Sequence, residues 1–336
     1  WGVLDDIAAH YDPRKIMLFI TGGEPLVKKD LFEIMDYANK LGFYWGMTTN
    51  GILIDEKVVE KMVETNMKTI SVSIDGLEEL HESFRRVPGS FKKIIKGLKL
   101  MQNCPSIVDI QVTTCVNKKN VDQLEEIFQL VKEIGIKDWR LIEIDPIGRA
   151  KDNDDILLDK EGFKKMFSFL FQKRYENPDM KIMYGCGHYF GKDLNTALNG
   201  GVFTCFTGYW VASILSNGDI FGCPDIPRLP ELIEGNIRKD SFVDIWEKLI
   251  PINVILQHRK QSLHVQNLLL LLQFVYPFLQ NLSSCPQDTC KTLRVIHIHI
   301  DTLTIIIRII TVFLKYRLVN KGCIRDHSET RSRCYP

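Results

Sequence analysis

The sequence lacks a long run of apolar residues, and it lacks an excess of charge of either sign. Its 336 residues carry a net charge of +1, with 45% hydrophobic and 25% charged residues, which are ordinary values for a globular protein. Residues 268–272 are too few to cross a bilayer, and Arg308 interrupts residues 305–314, whereas a spanning helix needs ~20 apolar residues. We therefore expect no membrane insertion, and the balanced charge predicts no nucleic-acid partner.

Alanine and glycine are almost absent from the last 88 residues, which contain one glycine, Gly322, and no alanine. This segment carries 11 Lys+Arg against 4 Asp+Glu, whereas residues 1–248 carry 32 against 38. Because alanine and glycine are among the commonest residues of folded domains, the change predicts a boundary close to Trp246. We interpret residues 249–336 as an atypical, poorly ordered tail that arose from a shifted reading frame or a mispredicted splice.

The nine cysteines are not accompanied by a signal peptide or a secretory pattern. In a reducing compartment cysteines remain free or bind metals rather than forming disulfides. The sequence therefore predicts a cytoplasmic location.

Short β-branched runs alternate with amphipathic stretches from the first residue onward, which is typical of parallel βα units in an α/β fold. The predicted strands are residues 16–21, 44–49, 69–75, 108–116 and 139–145. The predicted helices are residues 30–41, 56–66, 90–102, 121–134 and 160–175. Periodicity alone allows either an open doubly wound sheet or a (β/α) barrel.

The ends of nearly all these strands carry polar or glycine-containing clusters. Examples are Thr21-Gly22-Gly23-Glu24-Pro25, Thr49-Asn50-Gly51, Ser73-Ile74-Asp75-Gly76, Cys115-Val116-Asn117 and Asp145-Pro146-Ile147-Gly148-Arg149. Ligand sites of parallel α/β folds lie at the carboxyl ends of strands, so five such ends favour a site distributed around a barrel mouth.

Gly22-Gly23-Glu24-Pro25 directly follows the first predicted strand. Paired glycines let a ligand approach the backbone closely, and the Glu24 carboxylate can accept charge-assisted hydrogen bonds from an ammonium group. The alternative is an ordinary tight turn with an exposed glutamate, because glycine and proline are common in turns.

Several segments together resemble the radical S-adenosylmethionine (radical SAM) superfamily over residues 1–248. They are Gly22-Gly23-Glu24-Pro25, Thr49-Asn50-Gly51, residues 71–76, Arg86-Val87-Pro88-Gly89-Ser90-Phe91 and Pro146-Ile147-Gly148-Arg149-Ala150. The resemblance implies a partial (β/α)6 barrel over residues 1–155 that lacks its first strand. It also implies S-adenosylmethionine as cofactor, with its methionyl amine at Gly22, Gly23, Glu24 and Pro25. Ser73 and Asp75 would lie near the ribose, and Asn50, Asn117 and Arg149 are further candidates on the same rim.

Members of this superfamily hold a [4Fe–4S] cluster through a CxxxCxxC loop after their first strand, and this sequence contains no such spacing. The first cysteine is Cys104, well after the Gly-Gly-Glu-Pro segment. We therefore expect that the chain is N-terminally truncated and does not generate the 5′-deoxyadenosyl radical in this form.

Residues 156–248 resemble a last barrel helix followed by part of a SPASM iron–sulfur domain. Cys205, the Asn217-Gly218-Asp219 turn and Cys223 carry this resemblance, which implies an auxiliary [4Fe–4S] cluster with Cys186 as a third ligand. Cys186 can equally be a free buried thiol. His297 and His299 share one face of a potential strand, but in such a tail we interpret their spacing as coincidence.

The resemblance implies that the parent protein modifies a peptide, a protein or a peptide-derived cofactor, with an electron donor such as ferredoxin or flavodoxin. No catalytic side chain can be assigned. The alternatives are a non-catalytic fragment that binds S-adenosylmethionine or an auxiliary cluster, and an aldolase. An aldolase would need a Schiff-base lysine inside the barrel, whereas lysines such as Lys68 and Lys137 only flank the predicted strands.

Overall fold

The structure, a computed structural model of the chain, describes residues 1–185, 190–199, 207, 208 and 210–248. The helices are α1 Gly2–His10, α2 Leu31–Leu41, α3 Glu56–Glu64, α4 Glu78–Arg85, α5 Ser90–Gln102, α6 Leu124–Ile134, α7 Lys160–Glu176, α8 Lys192–Asn199 and α9 Phe242–Lys248. The strands are β1 Met17–Ile20, β2 Tyr44–Thr49, β3 Met67–Ser73, β4 Asp109–Val116, β5 Asp138–Glu143, β6 Lys181–Tyr184, β7 Ser213–Ile214, β8 Asp219–Phe221 and β9 Gly235–Asn236. Short 3-10 turns occupy Pro13–Lys15, Pro25–Val27, Val121–Gln123, Gly148–Ala150 and Pro230–Leu232.

The main sheet has six parallel strands in the order β1 to β6, so each strand pairs with its neighbour in sequence. A doubly wound sheet would reverse its order at one point, and no reversal occurs in this sheet. Right-handed crossovers in unbroken order place the helices on one face of the sheet. The described residues therefore have the connectivity of a partial (β/α)6 barrel, as the sequence predicts.

The two faces of the main sheet differ in polarity. The face under the helices consists of large apolar side chains with no exposed surface, among them Trp45, Met47, Ile70, Val112 and Trp139. The opposite face carries Ser71, Ser73, Gln111 and Thr113, while Met17 and Phe19 on β1 are exposed. The strand segments are apolar runs of the kind that a strand buried on both faces displays, but the alternation shows that only one face packs into the hydrophobic core.

Elements missed by the sequence analysis are α4, α8 and the sixth parallel strand β6. β6 pairs with β5 at Asp138↔Lys181 through Leu141↔Tyr184, so the main sheet continues past residue 155. The predicted helix over residues 121–134 begins instead as the 3-10 turn Val121–Gln123. In contrast, Gly42 and Gly135 end α2 and α6 in the left-handed conformation, as expected of C-cap glycines.

A small antiparallel sheet follows, in the order β7-β8-β9. The predicted hairpin turn at Asn217-Gly218-Asp219 joins β7 to β8, with Gly218 at φ 94°. Helix α9 then packs against α1, where Oδ2 of Asp6 accepts hydrogen bonds from the Ser241 hydroxyl and the Val243 backbone N–H. Residues 249–336, and with them the predicted tail, lie outside the described residues.

Candidate functional site

The predicted site residues lie at the carboxyl ends of neighbouring parallel strands. Glu24 follows β1, Asn50 follows β2, and Asn117 follows β4. Ser73 is the last residue of β3, and Asp75 comes two residues later. Since β1 to β4 are parallel and adjacent, these residues share one edge of the sheet, which we call the rim.

Gly22 and Gly23 leave the rim open above β1. Gly22 has φ +124°, a conformation that other residues rarely adopt. A Cβ added at either glycine would meet no heavy atom within 4 Å. The backbone is therefore accessible to a ligand at this point, as the sequence predicts for a close approach.

Glu24 bridges the ends of β1 and β2. Its Oε1 accepts hydrogen bonds from the Leu26 backbone N–H at 3.1 Å and from the Thr49 hydroxyl at 2.7 Å. Its Oε2 accepts the backbone N–H of Asn50 at 2.7 Å. A carboxylate offers about four acceptor positions, so one position on Oε2 remains for a further donor.

Asp75 is buried, and its carboxylate is occupied by neighbouring groups. Its Oδ2 lies 2.6 Å from both Nε and Nη2 of Arg85, and its Oδ1 accepts the backbone N–H of Cys115 at 2.9 Å. The Asp75 side chain has no exposed surface, whereas 29% of the Arg85 side chain is exposed. The contact between Asp75 and a ribose stays a prediction, because in this structure Arg85 is the accessible member of the pair.

Arg85 lies within the electrostatic influence of both rim carboxylates. Burial acts to lower the pKa of Arg85, but the charge and hydrogen bonds of Asp75, together with smaller contributions from Cys115 and Glu24, raise it above the ordinary value. The guanidinium therefore stays charged. Glu24 and Asp75 lie at the same edge of the sheet, and of the two only Asp75 is in contact with the Arg85 guanidinium.

Two buried side chains hold the ends of β3 and β4 together. The Nδ1 atom of His81 accepts the Asp75 backbone N–H at 3.1 Å, and burial lowers the pKa of His81. The Nδ2 atom of Asn120 donates to the carbonyl oxygens of Asp75 and Cys115, at 2.9 Å each. Because both side chains are engaged with the backbone, they position Asp75 rather than face a ligand.

The remaining rim candidates have different environments. Ser73 is 9% exposed, and Asn117 is 1% exposed. Asn117 donates from Nδ2 to the Cys115 carbonyl and accepts the Lys119 backbone N–H on Oδ1. Arg149 belongs to the 3-10 turn Gly148–Ala150, and its side chain lies outside the described residues. The roles of Ser73, Asn117 and Arg149 in ligand binding stay predictions.

Cys115 faces Asp75 at the end of β4. Burial first, and then the charge and hydrogen bond of Asp75, raise the pKa of the Cys115 thiol to about 12. The thiol is therefore protonated at neutral pH and is a poor nucleophile or metal ligand in this state.

The predicted auxiliary cluster is only partly within the described residues. Cys223 follows β8 and is half-buried, and its Sγ accepts the Asp225 backbone N–H at 3.5 Å. Cys186, Cys205, His297 and His299 lie outside the described residues. Within the described part of the chain, no three His, Cys, Asp or Glu side chains are grouped to hold a metal ion. The auxiliary cluster stays a prediction.

Sequence reasoning missed four residues that organise the rim. They are Thr49, His81, Arg85 and Asn120. Arg85 directly precedes the Arg86-Val87-Pro88-Gly89 segment, so its position next to a recognised motif was the available signal. His81 lies in an acidic stretch without apolar periodicity, and nothing in that pattern indicates its burial.

Comparison with known proteins finds one matching family model and several similar proteins. Residues 3–131 match the model described as the radical SAM superfamily. The chain is 28% identical over 259 residues to the AdoMet-dependent heme synthase of Methanosarcina barkeri, which covers 73% of this chain and 71% of the relative. It is 28% identical over 232 residues to the mycofactocin maturase MftC of Mycolicibacterium smegmatis, covering 68% of this chain and 57% of the relative.

A solved structure of native anSMEcpe with bound AdoMet and the Cp18Cys peptide superposes with a TM-score of 0.56. It is 20% identical in sequence, and the match covers 74% of this chain and 71% of that protein. This likeness supports the partial-barrel fold. Among the described residues, no helix combines the length and apolar character needed to cross a bilayer.

Proposed function

We propose that the chain is a member of the radical SAM superfamily, whose model matches residues 3–131, and that its rim binds S-adenosylmethionine for the modification of a peptide, a protein or a peptide-derived cofactor. The observation that carries the binding proposal is the Glu24 carboxylate, which is fixed by three donors and retains one open acceptor position. That position lies beside the open Gly22-Gly23 backbone.

The rim residues fit the amino-acid end of this cofactor. An ammonium group needs acceptors, and Glu24 offers a charged one next to an accessible backbone. The cofactor's carboxylate needs a cation, and Arg85 is a partly exposed cation on the same rim. Ser73 is the proposed hydroxyl partner of the ribose. In this superfamily the bound cofactor supplies a 5′-deoxyadenosyl radical, whereas the residues named here bind and orient it.

The residues of this chain do not fit the [4Fe–4S] cluster on which that chemistry depends. The sequence contains no CxxxCxxC spacing, and the described residues contain no metal-ligating group of three. We therefore derive no reaction step through a cluster. A second candidate function, carried over from the sequence analysis, is binding of S-adenosylmethionine by this chain without catalysis.

The substrate proposal is supported by one relative and opposed by another. The mycofactocin maturase is similar over 68% of this chain, which agrees with a peptide-modifying role. The heme synthase is similar over 73% of this chain and points to an iron tetrapyrrole. We retain the peptide proposal and treat the tetrapyrrole as the result that would replace it.

Cofactor binding is tested by calorimetric titration with S-adenosylmethionine, using S-adenosylhomocysteine as competitor. We expect Glu24→Gln to weaken binding at least about tenfold, since one charge-assisted hydrogen bond is worth roughly 1.5–3 kcal/mol. Glu33→Gln is the matched control, because Glu33 is exposed on α2. Equal affinity of wild type and Glu24→Gln would exclude this binding mode.

Substrate class is tested separately by titrating the protein with Fe-coproporphyrin III and following the absorbance of the macrocycle. The peptide proposal predicts no saturable change, with or without S-adenosylmethionine. Saturable binding that tightens when the cofactor is present would replace the peptide proposal with a tetrapyrrole one. It would leave the role of Glu24 unaffected.

A further inference from the structure

Two carboxylates lie together at the amino end of the main sheet, opposite the rim. Asp109 is the first residue of β4, and Asp138 is the first residue of β5. In the β4–β5 register Asp138 pairs with Gln111, which lies two residues after Asp109. Since strand residues alternate between faces, Asp109, Gln111 and Asp138 lie on the same face of the sheet, away from the helices.

One lysine accompanies this carboxylate pair. Lys181 on β6 pairs in register with Asp138, and its Nζ lies 3.0 Å from Oδ1 of Asp138. That Oδ1 atom is buried but makes no aligned hydrogen bond within the described part of the chain. The Asp138 side chain is 21% exposed and that of Lys181 is 61% exposed, so the ammonium neutralises one carboxylate incompletely.

The other groups that face the pair are mostly uncharged or already engaged. Thr69 on β3 is the register partner of Asp109. Lys68 directs its ammonium over the Tyr44 ring. Arg140, two residues after Asp138 on the same face of β5, is also engaged in an interaction. Lys181 pairs with Asp138 and acts against the raised pKa of Asp109.

Burial, then the charge of Asp138 and a hydrogen bond with it, raise the pKa of Asp109, while Lys181 and Thr69 oppose the shift. Two carboxylates in contact cannot both ionise without repulsion, and they reduce it by sharing a proton. We propose that a protonated Asp109 donates a hydrogen bond to the Asp138 carboxylate, as a pH-sensitive tie that holds the amino ends of β4 and β5 together and loosens as the pH rises.

The sign of the effect follows from the direction of the shift. The folded chain keeps the Asp109 proton to a higher pH than the unfolded chain does, so stability from this group is complete at low pH and is lost as pH rises through the folded pKa. The loss begins near the unfolded aspartate value of about 4. The unfolding equilibrium constant then rises with pH, at most about tenfold per pH unit for one proton.

The experiment measures urea unfolding from pH 4 to pH 8 for wild type, Asp109→Asn and Asp138→Asn. Both variants are expected to lose part of the wild-type rise in the unfolding constant. Asp36→Asn is the matched control, since Asp36 is exposed and paired with Lys40 on α2, and it should keep the wild-type slope. Parallel profiles for wild type and both pair variants would overturn the proposal.

A second measurement needs only the wild-type protein, so it remains informative where a variant folds poorly. Infrared spectra should retain a carboxylic-acid carbonyl band at a pH where exposed aspartates are ionised. Hydrogen exchange in residues 109–113 and 137–141, compared with Asp138→Asn at each pH, should accelerate with pH more in wild type. The absence of both signals contradicts a protonated Asp109.

Discussion

The two rim carboxylates, Glu24 and Asp75, occupy equivalent positions after parallel strands but are held in different ways. Glu24 is partly exposed and is held by three neutral donors. Asp75 is buried and is held by the Arg85 guanidinium and a backbone N–H. A carboxylate held by neutral donors keeps its negative charge for a ligand, whereas one paired with arginine is largely neutralised. The comparison teaches that strand-end acids of similar appearance in sequence can have different partners, and under the proposed function Glu24 binds the ligand while Asp75 supports the rim.

The largest effect that can test this division is expected from Arg85→Ala. Removing one partner of a buried ion pair leaves the Asp75 charge unpaired, and we expect a loss of about 3 kcal/mol in the free energy of unfolding. The value is at the low end of the usual range because Arg85 is partly exposed. Urea unfolding of the wild type and of Arg85→Ala measures this loss in the free energy of unfolding.

The double variant Asp75→Asn with Arg85→Ala provides the control for that measurement. Removing the charge of Asp75 as well should restore part of the lost stability, since no buried carboxylate remains. If the single and double variants are equally stable, Asp75 is not held by the ion pair in the way described.

A smaller loss of stability is expected at the other carboxylate. Glu24→Ala leaves the Asn50 and Leu26 backbone N–H groups and the Thr49 hydroxyl without their acceptor. We expect a cost of about 1–3 kcal/mol, because these groups are not all buried and water can replace part of the contacts. Thr49→Val removes two hydrogen bonds, one donated to Glu24 and one accepted from the Gly51 backbone N–H, and should cost less than the loss of three. A loss larger than that of Arg85→Ala would reverse the comparison.

The pH dependence of the free energy of unfolding tests the contribution of His81, whose Nδ1 atom accepts the backbone N–H of Asp75. The pKa of His81 is lowered by burial, so the folded chain disfavours the proton that an unfolded histidine binds below about pH 6.5. Stability from this group is present above that pH and is lost as the pH falls. The wild type should therefore lose up to about 1.4 kcal/mol per pH unit relative to His81→Gln.

This difference is measured as the free energy of unfolding at pH 7.5 and at pH 5.5. Glutamine can still accept the Asp75 backbone N–H but does not titrate, so it isolates the charge effect. A difference between wild type and His81→Gln that is independent of pH means that His81 is not held neutral in the folded chain.

The sequence predicted the local features of the rim better than its long-range contacts. Gly22-Gly23-Glu24-Pro25 was recognisable because its glycines and proline report a turn by their own backbone preferences. The ion pair of Arg85 was not, since it depends on α4, an acidic segment whose helical character is set by its packing. Strand β6 was missed because Lys181–Tyr184 is only four residues long and gains its identity from pairing with β5.

The same limit applies to Asp75, whose contact with a ribose stays a prediction. Its sequence context, a strand end followed by glycine, is shared by ligand-binding and by supporting acids. Its hydrogen-bond partners are Arg85, ten residues later in the chain, and the backbone of Cys115, forty residues later. No local pattern carries that information.

The last test concerns the reactivity of Cys115 and shows how far the influence of Asp75 extends. A pKa raised from 9.0 to about 12 lowers the thiolate fraction near pH 8 roughly thousandfold, and the thiolate is the reactive form. Alkylation of Cys115 by iodoacetamide should be slower by about that factor in the folded chain than in urea. Mass spectrometry of the peptide that contains Cys115 measures both rates.

Asp75→Asn should accelerate the alkylation of Cys115 in the folded chain, because the Asp75 carboxylate is the second cause of the raised pKa after burial. If the rate is unchanged in that variant, burial alone protects the thiol, and the charge of Asp75 is fully satisfied by Arg85.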